Sequence, residues 1–272
     1  MLFKIVKFRP VYDVCVRDAS GNPFLRNDKK GCSDSPTPLP LLRGHAHIII
    51  SQYLVLLHSM IVIGILKIEQ GDGLHLTHCL KKLPVFMQEK ISNYPRQDEQ
   101  LRSVSARLIF KQLLLEQGFH DAVLEDYRTD EYGRPFINKE IAFSISHADD
   151  YVMCAVSKTT RVGIDVEKLR DICIDDYSIS LSDKELEDLT KSENPIPDFF
   201  TLWTKKEAIS KANGKGLAIL LPDMIIGRDS ATCGQTVWNL KELLIDPQYA
   251  AHIAFTGANE LKIRQFKLTD FI

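Results

Sequence analysis

A mixed α/β (α+β) fold is predicted from residue 60 onward, and three observations predict it. The run Ile61-Val62-Ile63-Gly64-Ile65-Leu66-Lys67 has the composition of a buried strand. Residues 98–117 carry a long amphipathic helical pattern, with Gly118 placed to stop it. Strand-like segments, Ile141 to Ser146 and Tyr151 to Ser157, flank the turn Ala148-Asp149-Asp150.

The segments follow in order. Strand 61–67 gives way to loop and helical stretches through about residue 93, then to the helix of 98–117. Glu131-Tyr132-Gly133-Arg134-Pro135 is a turn signal. After the two strands comes a third, Val162-Gly163-Ile164-Asp165-Val166-Glu167. A helix over 182–191 opens on Ser182 with Glu185 three residues later, the pattern of a capping box. A helix over 198–212 ends at Asn213-Gly214. Thr236 to Leu240, His252 to Phe255 and Leu261 to Leu268 read as strands. No repeat is visible in residue identity, yet the order of elements before about residue 160 is roughly that found after it.

The first sixty residues differ in character. Residues 18–40 are rich in Asp, Asn, Gly, Ser and Pro, and 33–40 predicts an irregular or extended linker. The apolar run Ile48 to Leu66 approaches the roughly 20 residues that span a bilayer. Ser51, Gln52, His58 and Ser59 interrupt it, so a helix or strand running into the buried strand 61–67 is the expectation.

A chain of 272 residues can bury a substantial core in one large or two small domains. Its 44% hydrophobic and 26% charged residues belong to a soluble globular protein. A net charge of -2 excludes the broad basic field of most nucleic-acid binders, so no nucleic-acid partner is expected. Six scattered cysteines without a C-x-x-C pair read as reduced thiols, pointing to a cytoplasmic protein rather than a secreted one.

The chemistry centres on acids. Asp165 and Glu167 are two residues apart on a strand, so both carboxylates project from one face. Trp203, Glu207 and Lys211 recur at i, i+4 and i+8 of a helix and share a side. Separately, each has a plain structural explanation: charges on the wet face of a strand, or an ion pair on a helix surface. Together, three carboxylates beside a lysine suit Mg²⁺ holding a phosphorylated ligand. His147, beside Ser146 at a strand end, suits a phosphate contact, although a lone histidine is commonly structural. His75 and His78 have no third ligand at a sensible spacing and read as surface residues. Gly214-Lys215-Gly216 lacks the spacing of a phosphate loop and reads as a helix stop.

Four segments occur in a fixed order: Gly133-Arg134-Pro135, Phe143-Ser144-Ile145-Ser146-His147, Gly163-Ile164-Asp165-Val166-Glu167, and Trp203-Thr204-Lys205-Lys206-Glu207-Ala208-Ile209-Ser210-Lys211. This succession closely resembles the motifs of Sfp-type 4'-phosphopantetheinyl transferases. The resemblance covers roughly 60–272 and is strongest over 131–217. Arg134 stands where lysine is frequent, and Ala208 where serine is.

The resemblance implies two similar subdomains, 60–158 and 159–272, in a pseudo-twofold arrangement with coenzyme A in the cleft between them. Residues 1–59 are then expected to be an upstream extension, dispensable or non-native. The implied reaction is Mg²⁺-dependent transfer of phosphopantetheine from coenzyme A to a serine of an apo acyl or peptidyl carrier protein, releasing adenosine 3',5'-bisphosphate. Asp165, Glu167 and Glu207 would hold the metal, and Lys211 would reach the same phosphates. Ser146 and His147 would meet the coenzyme, Arg134 and Pro135 would line its adenine side, and Arg102 and Lys90 would meet the 3'-phosphate. Glu185, which matches a glutamate proposed as base in some members, is the expected base, and a metal-bound water acting through Asp165 or Glu167 is the competing route. A monomer is expected. The alternatives are a non-catalytic relative that binds coenzyme A or carrier proteins, and a membrane-tethered module anchored by 48–66.

Overall fold

The computed structural model describes residues 60–119, 124–131, 134–137, 141–158, 160–214, 221–257 and 259–272. The expectations for 1–59, including the linker at 33–40 and most of the 48–66 run, lie outside the described residues, as does Gly133.

Strand β1 (Met60–Lys67) starts the described chain. Two short helices follow, α1 (Leu76–Leu80) and α2 (Val85–Ser92), and then the long helix α3 (Gln97–Glu116). Asp98 and Glu99 place negative charge in the first turn of α3, where the helix dipole favours it. Its end is a Schellman motif: Phe119 N–H donates to Leu114 O and Gly118 N–H to Leu115 O, each at 2.9 Å. Gly118 takes φ 80°, the left-handed conformation that motif requires.

A ribbon of β2 (Arg128–Thr129) and β3 (Pro135–Phe136) brackets the predicted turn. Strands β4 (Ala142–Ala148) and β5 (Tyr151–Ser157) form a hairpin through Asp149 and Asp150, and β6 (Val162–Lys168) follows. Helix α4 (Asp183–Thr190) opens with the predicted capping box. Helix α5 (Pro195–Asn213) begins three residues earlier than its apolar pattern suggests, because Pro195 serves as its first residue. Strands β7 (Ile225–Ile226), β8 (Ser230–Cys233), β9 (Thr236–Glu242), β10 (Tyr249–Phe255) and β11 (Glu260–Phe266) complete the chain.

The mixed α+β architecture is as expected, with sheets ordered β11-β1-β5-β4 and β6-β10-β9-β8-β7 among the described residues. Both use one connectivity: a first strand, a long helix, and a last strand lying beside the first and between it and the strand before. One pairing was not legible. β11 runs parallel to β1, with Ile263 opposite Ile63, so the last strand of the chain joins the sheet of the first half.

Alternation along β1 feeds two cores. Val62 and Leu66 join Val152, Cys154 and Val156 of β5 against Val104, Leu108, Ile109 and Leu113 of α3. Ile61, Ile63 and Ile65 face the other way, meeting Val162, Ile164 and Val166 of β6 and Ala251, Ile253 and Phe255 of β10. Residues 60–66 of the apolar run are therefore strand, and 61–66 are paired on both sides. Among the described residues no helix is long and apolar enough to cross a membrane.

Candidate functional site

With Val162, Ile164 and Val166 committed to the core, the period of two sends Gly163, Asp165 and Glu167 to the opposite face of β6. Helix α5 packs there. A Cβ at position 163 would lie 2.0 Å from Ala208 O and 2.5 Å from Ala212 N, so only glycine lets α5 approach this closely. Thr204, Ala208 and Ala212 form the buried stripe of α5. The adjoining stripe, Trp203, Glu207 and Lys211, opens into a cavity of about 510 Å³ that Asp165 and Glu167 also line.

Asp165 is the most enclosed of the three acids, 3% exposed. Its Oδ1 accepts from Lys211 Nζ at 2.6 Å and from Ser146 Oγ at 2.8 Å, and Lys211 Nζ also donates to Ser146 Oγ at 2.9 Å. Asp165 Oδ2 is buried and has no hydrogen-bond partner. Glu167 accepts from Arg170 at 3.2 Å. Burial first, and then the charge of Asp165, hold the carboxyls of both Glu167 and Glu207 above the usual carboxylate range. Among the described residues no three His, Cys, Asp or Glu are gathered as a ready metal site. Instead, cations of the chain lie on two of the acids: Lys211 on Asp165 and Arg170 on Glu167.

Strand β4 brings the other wall. Ser144 Oγ accepts from Ile164 N–H at 3.1 Å, and Ser146 Oγ from Val166 N–H at 3.4 Å. The two edge strands β4 and β6 are thus joined through serine hydroxyls, and the join sets His147 at the cavity. The His147 side chain reaches solvent, yet desolvation by the surrounding walls and then the charges of Arg102 and Lys211 lower its affinity for a proton.

The remaining candidates lie elsewhere. Arg102 is held by Asp98 at 3.0 Å and Asp149 O at 3.3 Å, and it does not line this cavity. Lys90 is exposed in the last turn of α2. Arg134 lies against the C-terminal end of α5: a Cβ at Gly214 would sit 2.1 Å from its Nη1. Pro135 is in β3, paired with Thr129. Glu185 is not on the cavity wall. Its Oε2 accepts from Ser182 N–H at 2.8 Å and from Lys206 Nζ at 2.6 Å. Lys206 is fully buried and also donates to Ser180 O and Leu221 O.

Several contributors were not foreseen from sequence. Arg107 of α3 and Tyr127 line the cavity. Beneath α5, Thr204 Oγ1 bonds His252 Nδ1 at 2.8 Å, and His252 stands opposite Asp165 in the β6–β10 ladder. The sequence signal for Arg107 is a single charge set inside the otherwise uncharged stretch Ser103 to Phe110. His252 gives a similar one, a polar residue among Ala251, Ile253 and Ala254.

Comparison with known proteins bears on this region. Residues 161–260 match the family described as the 4'-phosphopantetheinyl transferase superfamily. The chain is 35% identical over 136 residues to 4'-phosphopantetheinyl transferase gsp of Aneurinibacillus migulanus, covering 48% of this chain and 56% of that protein. It is 30% identical over 138 residues to 4'-phosphopantetheinyl transferase Sfp of Bacillus subtilis (strain 168), covering 49% and 61%. Identity to 4'-phosphopantetheinyl transferase HetI of Nostoc sp. is 32% over 143 residues, covering 46% and 56%. The matches thus span little more than half the length of these relatives. The stretch bearing all three acids and helix α5 matches the 4'-phosphopantetheinyl transferase superfamily, and the resemblance to Sfp-type members is one these relatives share.

Proposed function

We propose that this protein transfers 4'-phosphopantetheine from coenzyme A to a serine hydroxyl of an apo acyl or peptidyl carrier protein, with Mg²⁺ as cofactor. The observation that carries the reading is the convergence of Asp165, Glu167, Glu207 and Lys211 on one cavity, within the stretch that matches the superfamily.

The donor set fits a hard divalent cation. It offers three carboxylates, and Asp165 Oδ2 is a buried oxygen still lacking a partner. Asp165, Glu167 and Glu207 would hold the ion, which when bound supplies charge neutralisation to the diphosphate. Lys211 can then turn from Asp165 to a phosphate oxygen, since its ammonium is a mobile point charge with three donors. His147, at the rim of the cavity, can donate an N–H to the ligand. Trp203, stacked on Phe199, forms one wall of the cavity.

For the serine proton, the geometry favours a carboxylate on the cavity wall over Glu185. Asp165, Glu167 and Glu207 line the cavity, and Glu185 does not. Glu185 instead anchors the start of α4 to Lys206 on α5. Glu185→Gln is expected to keep transfer within a few-fold of wild type. A loss beyond about 100-fold at unchanged melting temperature would return the base role to Glu185.

The carrier partners, the monomeric state and a cytoplasmic location belong to this same proposal. Incubation with an apo carrier protein, coenzyme A and Mg²⁺ tests it. The carrier serine is expected to gain one phosphopantetheine group, and no gain on any of several acyl and peptidyl carriers would contradict the assignment.

A further inference from the structure

Arg107 belongs to α3, in the other half of the molecule from the three acids, yet it lines the same cavity. Its neighbours Ala106 and Leu108 are buried, so a charge at this position is costly unless it has work to do. Nη1 donates to Ser103 O at 3.1 Å and Ser103 Oγ at 2.9 Å. The guanidinium also lies 5.7 Å from the centre of the Tyr127 ring. These contacts fix its orientation without neutralising it: among the described residues no carboxylate pairs with Arg107. A half-buried, oriented guanidinium with unused N–H donors facing a cavity is suited to a phosphate.

We propose that Arg107 binds the diphosphate of coenzyme A from the α3 wall of the cavity, facing Lys211 on the α5 wall. The role rests on the coenzyme A reading above. The diphosphate, rather than the 3'-phosphate, follows from place: Arg107 shares its cavity with Asp165, Glu207 and Lys211, whereas Arg102 is engaged by Asp98 outside it. Arg102, Lys211 and Arg107 all act on His147, and of these Lys211, paired with Asp165, and Arg107 line the cavity. Diphosphate is the anion that such a pair of cations, set on two walls, can grip at both ends.

Calorimetric titration of the full chain in Mg²⁺ with coenzyme A and with dephospho-coenzyme A, which lacks the 3'-phosphate, tests this. Arg107→Gln is expected to weaken both ligands by the same factor, about 10- to 100-fold. Arg107→Lys keeps the charge over Tyr127 and should recover part of the loss, because an ammonium lacks the fork. Equal affinities of wild type and both variants for both ligands would overturn the proposal, as would a loss confined to coenzyme A. If wild type binds neither nucleotide, the coenzyme A reading itself fails. Titration with inorganic pyrophosphate then judges Arg107 alone: binding by wild type that Arg107→Gln loses supports a diphosphate site, and no difference ends it.

Discussion

At position 163 a hydrogen in place of a methyl group decides how near α5 comes to β6. The approach matters for chemistry because α5 carries Glu207 and Lys211, and β6 carries Asp165. Gly163→Ala would press a Cβ into Ala208 O. Overpacking against backbone of this kind is expected to cost about 3 kcal/mol, a fall of roughly 6–12 °C in Tm. The same substitution should separate the Lys211–Asp165 contact, so transfer should fall more than stability does. Thermal melts beside transfer rates check this, and an unchanged Tm would contradict the packing account. Asp165 and Glu167 are legible in sequence because a strand's period fixes their shared face. Glu185 is less so: its capping box is local and readable, but its bond to Lys206 joins residues 21 apart and appears only once α4 and α5 pack.

Helix α5 works as an element because each of its stripes has a separate destination. Trp203, Glu207 and Lys211 are legible from i, i+4 spacing, and all three reach the cavity. The neighbouring stripe rests on a polar contact that spacing does not reveal, between Thr204 and His252 of β10. Thr204 Oγ1 donates to Phe200 O and accepts from His252 Nδ1. Thr204→Val leaves a buried ring nitrogen unpaired, and a loss of about 1–3 kcal/mol is expected from urea unfolding. Burial, and then the charge of Lys205, push the His252 pKa down to about 4, below its ordinary value near 6.5. The unfolded chain therefore binds the proton more readily than the folded one. The stabilisation is present above about pH 6.5 and is lost as pH falls toward about 4. Between pH 7 and pH 5 wild type should lose about 2 kcal/mol more stability than His252→Gln. Equal losses would place the pH sensitivity elsewhere.

On the scale of the whole molecule, the described residues close upon themselves. β1 is paired on one side by β5 and on the other by β11, and the Arg264 guanidinium on β11 holds Glu116 of α3 with bonds of 3.0 to 3.2 Å. Residues 60–272 alone are therefore expected to fold with a cooperative melt. Removing 259–272 should instead expose the edge of β1 and yield aggregated protein. Soluble, cooperatively melting protein from the second truncation would contradict the role given to β11. The helix–strand order of both halves is legible from periodicity, and so is their similarity. The parallel β1–β11 pairing is not, because Glu260 to Phe266 alternates weakly and nothing local names its partner 200 residues away. β8 is unreadable for a related reason: Ser-Ala-Thr-Cys is short and its apolar residues are small, and it is a strand through its pairing with β9 and β7.

Whether coenzyme A reacts in the cavity between β6 and α5 is decided by one paired assay. Wild type and Glu207→Gln, matched for Tm, are given apo carrier protein, coenzyme A and Mg²⁺, and adenosine 3',5'-bisphosphate is quantified against the mass gained by the carrier. Wild type should release one bisphosphate per phosphopantetheine transferred, and Glu207→Gln should do neither at a measurable rate. Full, stoichiometric transfer by the folded Glu207→Gln variant would contradict the account.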